Sequence, residues 1–386
     1  MSFNTDRLSN ILSSMEANTS NLKYAMKSSI PEILKKDTGA EHEAEIRALR
    51  EEVQQLKERA RKDAKEKASA GSEHGAFLGK EVERLQALIA AERKEHLAQK
   101  AWAEAKIKSQ LAEILDLKGA IRVVARVKPF VSKEEVLITE DAVEIPCKSF
   151  VSRCNKVLSP KATQEELFAE IEDLVYSVTR GYSVSVLAYG PTGSGKTYSM
   201  EGPSGLGAHC KSSAGIVQRS TEMLRSELKR LESAGYAHSV SVSAVELYND
   251  KVIKSVSDAS GVEHIEETFR KVSASRKVGS TECNSRSSRS HLVLKICVAL
   301  QRESETGALE CIRGSLCIAD LAGSERLNHS KAEGERMKEA VEINKSLTAL
   351  GDVVYSIATN SAHIPYRNSK LTTLLKDTLG PGSKTA

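Results

Sequence analysis

One eight-residue stretch, residues 190–197, constrains this chain more than any other. It fits the pattern G-x-x-x-x-G-K-[ST], which cradles phosphate groups when a strand leads into it and a helix follows. The apolar run Val184–Tyr189 predicts a buried strand before the loop, and Tyr198–Met200 can open a helix after it. Glycines in such a loop let backbone N–H groups point inward at phosphate oxygens, and the helix dipole adds positive charge.

Two side chains of this phosphate loop have predicted contacts of their own. Lys196 is expected to reach the β- and γ-phosphates of a nucleotide, and the Thr197 hydroxyl is expected to bind Mg²⁺. A Gly/Ser-rich turn that matches the pattern by chance is the alternative. The residues predicted to bind nucleotide in this stretch are Gly190, Pro191, Thr192, Gly193, Ser194, Gly195, Lys196, Thr197 and Tyr198.

The composition bounds the kind of protein that carries this loop. A chain of 386 residues can hold one large core and a further part, and its net charge of +4 suits an acidic partner without requiring one. The seven cysteines form no C-x-x-C pair and no metal-ligand spacing, which indicates ordinary thiols in a reducing compartment. There is no signal-peptide pattern and no membrane-length apolar run. We therefore expect a soluble cytoplasmic protein with no nucleic-acid or membrane partner.

The first third of the chain is predicted to be a head followed by a helical stalk. Residues 1–40 are rich in Ser, Asn and Thr, and we expect them to be weakly ordered. Residues 41–118 are highly charged and predict helix, with a break near 71–79 where three glycines occur. Apolar residues at alternating steps of three and four favour a coiled coil in the first run, at Ile46, Leu49, Val53, Leu56 and Ala60. The second run, Glu81–Leu117, fits a single solvated helix nearly as well.

A composition shift at Lys118-Gly119 marks the start of a second domain, residues 119–386. Strand and helix patterns alternate there, which predicts an α/β domain with helices on both faces of a sheet. The expected strands are 120–127, 184–189, 239–247, 292–300 and 314–321, and the expected helices are 164–179, 216–233 and further segments after Glu335.

Two further stretches carry candidate chemistry. Asp320 follows the apolar strand 316–319, where a nucleotide triphosphatase places a second Mg²⁺-organising carboxylate, and a helix N-cap is the alternative. Gly323 offers a backbone N–H that can sense a γ-phosphate. Residues 284–291 combine hydroxyl groups with guanidinium groups, although an ordinary soluble or phosphorylatable loop would look the same.

Together these stretches resemble the kinesin motor family, and the resemblance extends over about residues 118–385. The arrangement, a motor after a helical stalk, is most similar to the C-terminal-motor (kinesin-14) class. The segments that match family motifs are 188–197 (phosphate loop), 284–291 (first switch, N-x-x-S-S-R-S-H), 320–326 (second switch, D-L-A-G-S-E-R), 343–351 (the helix after it), 363–372 (the loop and helix that touch the microtubule) and 126–129 (adenine-binding R-x-R-P, with Lys in third place).

The resemblance implies a P-loop NTPase-type motor domain with a mixed, mainly parallel central sheet, and it implies ATP and Mg²⁺ as ligands. Arg126, Lys128 and Pro129 would contact the adenine. The implied catalytic and metal-binding residues are Ser287 for placing the attacking water, Thr197 and Ser288 as Mg²⁺ ligands, Asp320 behind them through water, Gly323 at the γ-phosphate, and Arg289 and Glu325 as a pair that closes the site.

The implied partner is the microtubule, contacted through Arg367 and Lys370, although both fit ordinary surface charges as well. Minus-end-directed movement, dimerisation through the N-terminal helices and a place on the cytoskeleton, including the spindle, are further implications. Departures from the family pattern keep a non-motile microtubule-binding or scaffolding protein open as the alternative. Pro191 replaces the usual Gln, and the interval from Asp250 to Asn284 is about half the usual length. We also expect the final strand and helix of the motor to be absent after Ala386.

Overall fold

The computed structural model of the chain describes most of its second half and part of its first. The described residues are 73–117, 119–129, 136–203, 211–278, 288–303, 309–325, 335–380 and 382–386, with single residues at 51, 54, 55 and 58. The chain forms two compact units, residues 1–107 and 108–386. The predicted head and the predicted coiled-coil seam from Ile46 to Ala60 lie outside the described residues.

A long helix, α1, occupies Glu73–Leu117. It begins earlier than predicted and contains Gly75 and Gly79, so the predicted break is wrong at these two positions. Glycine costs only about 1 kcal/mol within a helix, which a helix of 45 residues can absorb. The pairing of this helix with another stays a prediction. Among the described helices, none is both long enough and apolar enough to cross a membrane.

The second unit contains eleven described strands and seven further described helices. The strands are β1 Val124–Arg126, β2 Leu137–Ile138, β3 Ala142–Ile145, β4 Phe150–Arg153, β5 Lys156–Leu158, β6 Ser183–Ala188, β7 Ala237–Tyr248, β8 Lys251–Ser260, β9 His291–Glu303, β10 Leu309–Asp320 and β11 Lys384–Thr385. The helices are α2 Gln164–Ala169, α3 Glu172–Val178, α4 Lys196–Glu201, α5 Ile216–Ser233, α6 His264–Val278, α7 Glu335–Ala358 and α8 Lys370–Leu375.

Six strands form the central sheet in the order β11-β6-β10-β9-β7-β8. The β11, β6 and β10 strands are parallel, whereas the pairs β10/β9, β9/β7 and β7/β8 are antiparallel. The prediction of a mainly parallel sheet is therefore wrong, although the sheet is mixed. A tight hairpin explains one antiparallel pair, because Asn249 and Asp250 join β7 to β8 with φ angles of 50° and 52°, the left-handed values that a two-residue hairpin turn requires.

Helices cover both faces of this sheet, as predicted. Along β10, Leu316 and Ile318 point into a core shared with α2, α3, α5 and α6, while Cys317 and Ala319 point into a core shared with α7 and α8. This alternation is the period of two that a strand imposes on its side chains. The sheet therefore lies between two apolar layers.

The helix predicted over 164–179 is divided in two, because Glu170 and Ile171 interrupt the helical hydrogen bonds between α2 and α3. The short β11 strand lies between two neighbours, since Thr385 bridges to Ile121 on one side and pairs with Ser185 on the other. Among the described strands, β1 and β6 are not paired with each other, and β1 joins β5 in a separate two-stranded sheet.

Candidate nucleotide site

The phosphate loop connects the carboxyl end of β6 to the first turn of α4. Gly193 and Gly195 have φ angles of 76° and 101°, in the region that favours glycine, so the loop can curl back on itself. Lys196 donates to the carbonyl oxygens of Gly190 at 2.8 Å and Pro191 at 3.0 Å. Burial lowers the pKa of Lys196, while the neighbouring carboxylates Asp320 and Glu325 oppose that shift. The ammonium group thus lies within the curve of the loop.

Asp320 meets this loop because β10 and β6 are parallel neighbours. Their register pairs Asp320 with Ala188, so the carboxylate emerges beside the start of the loop. The Thr197 hydroxyl donates to Asp320 Oδ2 at 2.8 Å. The other carboxylate oxygen, Oδ1, is buried and has no hydrogen-bond partner in the described structure. A buried, unpaired carboxylate oxygen beside a hydroxyl suits Mg²⁺, which prefers oxygen ligands and retains waters.

Arg276, which the sequence analysis missed, forms a buried ion pair with Asp320. Arg276 on α6 donates to Asp320 Oδ2 at 2.8 Å, and the two side chains are only 2% and 1% exposed. The same guanidinium donates to the Ser290 hydroxyl at 3.2 Å and to the Ser290 carbonyl at 2.9 Å. Arg276 therefore joins Asp320 to the start of β9. No local motif marks it, because its partner is 44 residues away in sequence.

His291 links both candidate switch segments to helix α7. Its Nδ1 accepts from the Ala322 N–H at 3.1 Å, so Nε2 carries the proton and donates to the Ser346 hydroxyl at 2.9 Å. Ser346 in turn donates to the Ile343 carbonyl at 2.7 Å. Burial, together with the charges of nearby cations, lowers the pKa of His291 to about 3, which keeps the ring neutral. The histidine thus serves as a structural connector.

The residues predicted to close the site have other partners in this structure. Glu325 accepts from the Thr192 N–H at 2.9 Å and from the Thr192 hydroxyl at 2.5 Å. Burial opposes ionisation of Glu325, but these hydrogen bonds and the charge of Lys196 outweigh it and lower the pKa of the carboxyl. Arg289 donates to Glu339 on α7 at 2.7 Å. The structure therefore shows Arg289 and Glu325 apart, and their pairing stays a prediction.

Gly323 lies where the two switch segments touch. Its N–H donates to the Ser288 carbonyl at 2.8 Å, and the neighbouring Ser324 N–H donates to the Gly190 carbonyl at 3.1 Å. A Cβ at Gly323 would come within 2.3 Å of the Thr192 hydroxyl oxygen. Only glycine fits there with its surroundings unmoved.

The predicted base-binding residues lie along a cleft of about 1370 Å³ that borders β1, β6 and the phosphate loop. Arg126 is committed to the protein, since it donates to Gln164 and Ser199 at 2.9 and 3.0 Å and lies over the Tyr198 ring. Lys128 donates to the Gly193 carbonyl at 2.8 Å. Lys128 therefore contacts the phosphate loop, Arg126 contacts the helix that follows it, and their contact with adenine stays a prediction.

Comparison with known proteins decides the family. Residues 254–386 match the model of the kinesin motor domain, and residues 103–255 match the model described as microtubule binding. The motor domain of the Kar3-like kinesin from Ashbya gossypii is 30% identical with a TM-score of 0.55, and the match covers 69% of this chain and 91% of that one. The chain belongs to the kinesin family.

Within the kinesins, the chain is most like the kinesin-14 class. The Arabidopsis thaliana protein KIN-14K is 40% identical over 296 residues, which cover 71% of this chain and 30% of the relative. The motor and motor homology domain of Kar3Vik1, fused to a synthetic heterodimeric coiled coil, is 29% identical with a TM-score of 0.61 over 80% of this chain and 92% of that one. The chain thus spans about a third of the length of the curated relatives it matches.

The described residues of the phosphate loop and of the two switch segments lie in one region of the second unit. Ser287 lies outside the described residues. Arg367 and Lys370 are exposed at a 3₁₀ turn and at the first residue of α8, on the face that α7 and α8 cover. The Lys370 N–H donates to Asp250 at 2.7 Å, which ties this turn to the β7–β8 hairpin.

Proposed function

We propose that this kinesin is a microtubule-dependent ATPase that couples ATP hydrolysis to movement along, or force on, microtubules. One observation carries the nucleotide part of this proposal. Thr197, in the first turn of α4, donates at 2.8 Å to Asp320 at the end of β10, and Asp320 Oδ1 is buried with no hydrogen-bond partner among the described residues. This arrangement of oxygens suits a hydrated Mg²⁺ beside a loop built for phosphates.

The residues of the loop would bind and orient the nucleotide. Backbone N–H groups around Gly193 and Gly195 would hold phosphate oxygens, and Lys196 would exchange its carbonyl partners for the β- and γ-phosphates. Thr197, Ser288 and Asp320 would hold Mg²⁺, which supplies charge neutralisation for the transferring phosphoryl group when bound. Positioning and electrostatics contribute most of the rate in such a reaction.

The switch segments would report the state of the phosphates to α7. Gly323 would bind the γ-phosphate, Ser287 would place the attacking water, and Arg289 and Glu325 would pair to exclude bulk water. His291 and Ser346 join the switch segments to α7 by hydrogen bonds in the described structure. A movement of the switches would therefore be transmitted to a helix on the face that carries Arg367.

That face would bind the microtubule. Arg367 and Lys370 are exposed there, and the acidic surface of tubulin offers complementary charge. The likeness to kinesin-14 proteins supports movement toward microtubule minus ends, pairing of the N-terminal helices as a homodimer or with another chain, and a place on cytoplasmic or spindle microtubules. A non-motile microtubule-binding role is the second candidate, because the interval from Asp250 to Asn284 is about half the usual family length and only Gly261–Glu263 separate β8 from α6.

A single substitution tests the nucleotide site. In the Lys196→Ala variant, removal of the cation from the loop should weaken binding of ATP by about 10- to 100-fold, the usual effect of losing hydrogen bonds to a charged group. The matched control is Lys229→Ala on the exposed side of α5. Calorimetric titration with Mg-ATP measures both. Equal affinities in the two variants would contradict the assignment of the loop.

A paired substitution tests the microtubule surface. Arg367→Gln with Lys370→Gln should weaken co-sedimentation with microtubules, and the loss should diminish as salt screens the surface charges. Arg225→Gln with Lys229→Gln removes the same charge from α5, which packs in the other core. If both double variants bind microtubules equally, Arg367 and Lys370 are ordinary surface charges.

A further inference from the structure

At the nucleotide site, Glu325 and Arg289 are each held by a different partner. In the first pair, Thr192 presents its N–H to one oxygen of Glu325 at 2.9 Å and its hydroxyl to the other at 2.5 Å. In the second, Arg289 donates to Glu339 at 2.7 Å, and the Tyr248 hydroxyl donates to the other oxygen of Glu339. Each carboxylate therefore has both oxygens occupied, and Arg289 and Glu325 do not contact one another.

The first pair is built into the backbone around it. Ser324, the residue before Glu325, donates its N–H to the Gly190 carbonyl at 3.1 Å, so the segments that carry Glu325 and Thr192 are also joined through their backbones. At Gly323 an added Cβ would lie 2.3 Å from the Thr192 hydroxyl oxygen and 2.4 Å from a Glu325 oxygen. The absence of a side chain at Gly323 is therefore what lets Thr192 and Glu325 meet.

Thr192 presents to Glu325 the kind of donors that a phosphate would use. A backbone N–H and a hydroxyl in a phosphate loop are both suited to anionic oxygens, and a carboxylate competes with a phosphate for them. Lys196, in the same loop, also attracts the carboxylate. An anionic group that reaches the N–H and hydroxyl of Thr192 would therefore displace Glu325 from them.

We propose that Thr192 is a positioning residue that holds Glu325 away from Arg289, and that closure of the site is an exchange of partners. In this exchange Glu325 leaves Thr192, whose donors pass to the third phosphate of the nucleotide, and Arg289 leaves Glu339. A diphosphate has no group for those donors and leaves both pairs as they are. The inference rests on the proposed function, in which pairing of Arg289 with Glu325 closes the site.

Double-mutant cycles on the unfolding equilibrium test the pairs without any need for turnover. In the nucleotide-free 386-residue chain, Thr192→Val with Glu325→Gln, and Arg289→Gln with Glu339→Gln, should each show a coupling of about three- to tenfold in the unfolding constant. Arg289→Gln with Glu325→Gln should be additive. Thr192→Ser, which keeps the hydroxyl, should preserve the coupling that Thr192→Val removes.

The same cycles with nucleotide test the exchange. A saturating ATP analogue with an imido group between the β- and γ-phosphates, given with Mg²⁺, should move the coupling to Arg289 and Glu325, whereas ADP should not. Coupling between Arg289 and Glu325 in the nucleotide-free chain, or none between Thr192 and Glu325, would overturn the positioning role. Binding of the analogue with unchanged couplings would overturn the exchange while leaving the nucleotide site intact. A chain that binds no nucleotide refutes the proposed function, and the nucleotide-free cycles then decide the positioning role alone.

Discussion

Removal of the Arg276 side chain should lower the free energy of unfolding more than removal of an arginine on the surface does. In the Arg276→Met variant the apolar volume is largely kept, so the main effect is electrostatic. Asp320 would remain buried, at 1% exposure, without its cationic partner. The Ser290 hydroxyl and carbonyl would also lose donors at 3.2 and 2.9 Å.

The expected cost follows from these contacts. Breaking a buried ion pair by removing one partner costs about 3–5 kcal/mol, because the remaining charge is left uncompensated. Thr197 still donates to Asp320 in the variant, which places the loss near the lower limit, about 3 kcal/mol. The matched control is Arg225→Met, which breaks an exposed pair with Glu222 and should cost less than about 1 kcal/mol.

Urea unfolding of both variants in Mg²⁺-free buffer measures the difference. Adding Asp320→Asn to Arg276→Met removes the stranded charge and should recover about 2 kcal/mol of the loss, since the penalty belongs to the unpaired carboxylate. Equal losses in Arg276→Met and Arg225→Met, or no recovery with Asp320→Asn, would refute the reasoning.

Three further predictions concern single residues. The unfolded chain binds a proton at His291 below about pH 6.5, whereas the folded chain binds it only below about pH 3, so the free energy of unfolding falls as the pH drops through this window. Between pH 7.5 and pH 5, urea titrations of His291→Gln should therefore show a decrease that is smaller by about 2 kcal/mol than the decrease in the parent chain. Gly323→Ala places a Cβ 2.3 Å from the Thr192 hydroxyl oxygen, so it should displace the phosphate loop and weaken binding of Mg-ATP in calorimetry. Lys384→Met removes donors to Leu115 and Asp116 and should speed hydrogen exchange at the end of α1, with Lys376→Met as the control.

The phosphate loop and Asp320 could be predicted from sequence because their signals are local. A glycine pattern between an apolar strand and a helix specifies the loop, and an apolar run specifies the strand that ends at Asp320. The parallel pairing of β6 with β10 then brings Asp320 within 2.8 Å of Thr197. Helix α5 was predicted at its observed bounds for a related reason, since its apolar residues recur with helical spacing on one face.

Strand direction and long-range partners could not be predicted in this way. Alternating side chains indicate a strand with two faces, but the alternation is the same in parallel and antiparallel sheets. The antiparallel pairing of β10, β9, β7 and β8 was therefore not predicted. The contact of Arg276 with Asp320 forms because α6 packs against the sheet, and no sequence spacing predicts that packing. The motifs name Arg289 and Glu325 as a pair that closes the site, but they do not indicate that Glu325 is bound to Thr192 and Arg289 to Glu339 in this structure.

The rate of ATP hydrolysis with and without microtubules is the measurement that tests the central proposal most directly. Purified protein is assayed for phosphate release across a range of microtubule concentrations, with Lys196→Ala as the inactive control. We predict Mg²⁺-dependent hydrolysis in the parent chain that rises severalfold and saturates as microtubules are added, and none above background in the control. Microtubule binding without any hydrolysis above that of Lys196→Ala would contradict the motor assignment and favour the non-motile alternative.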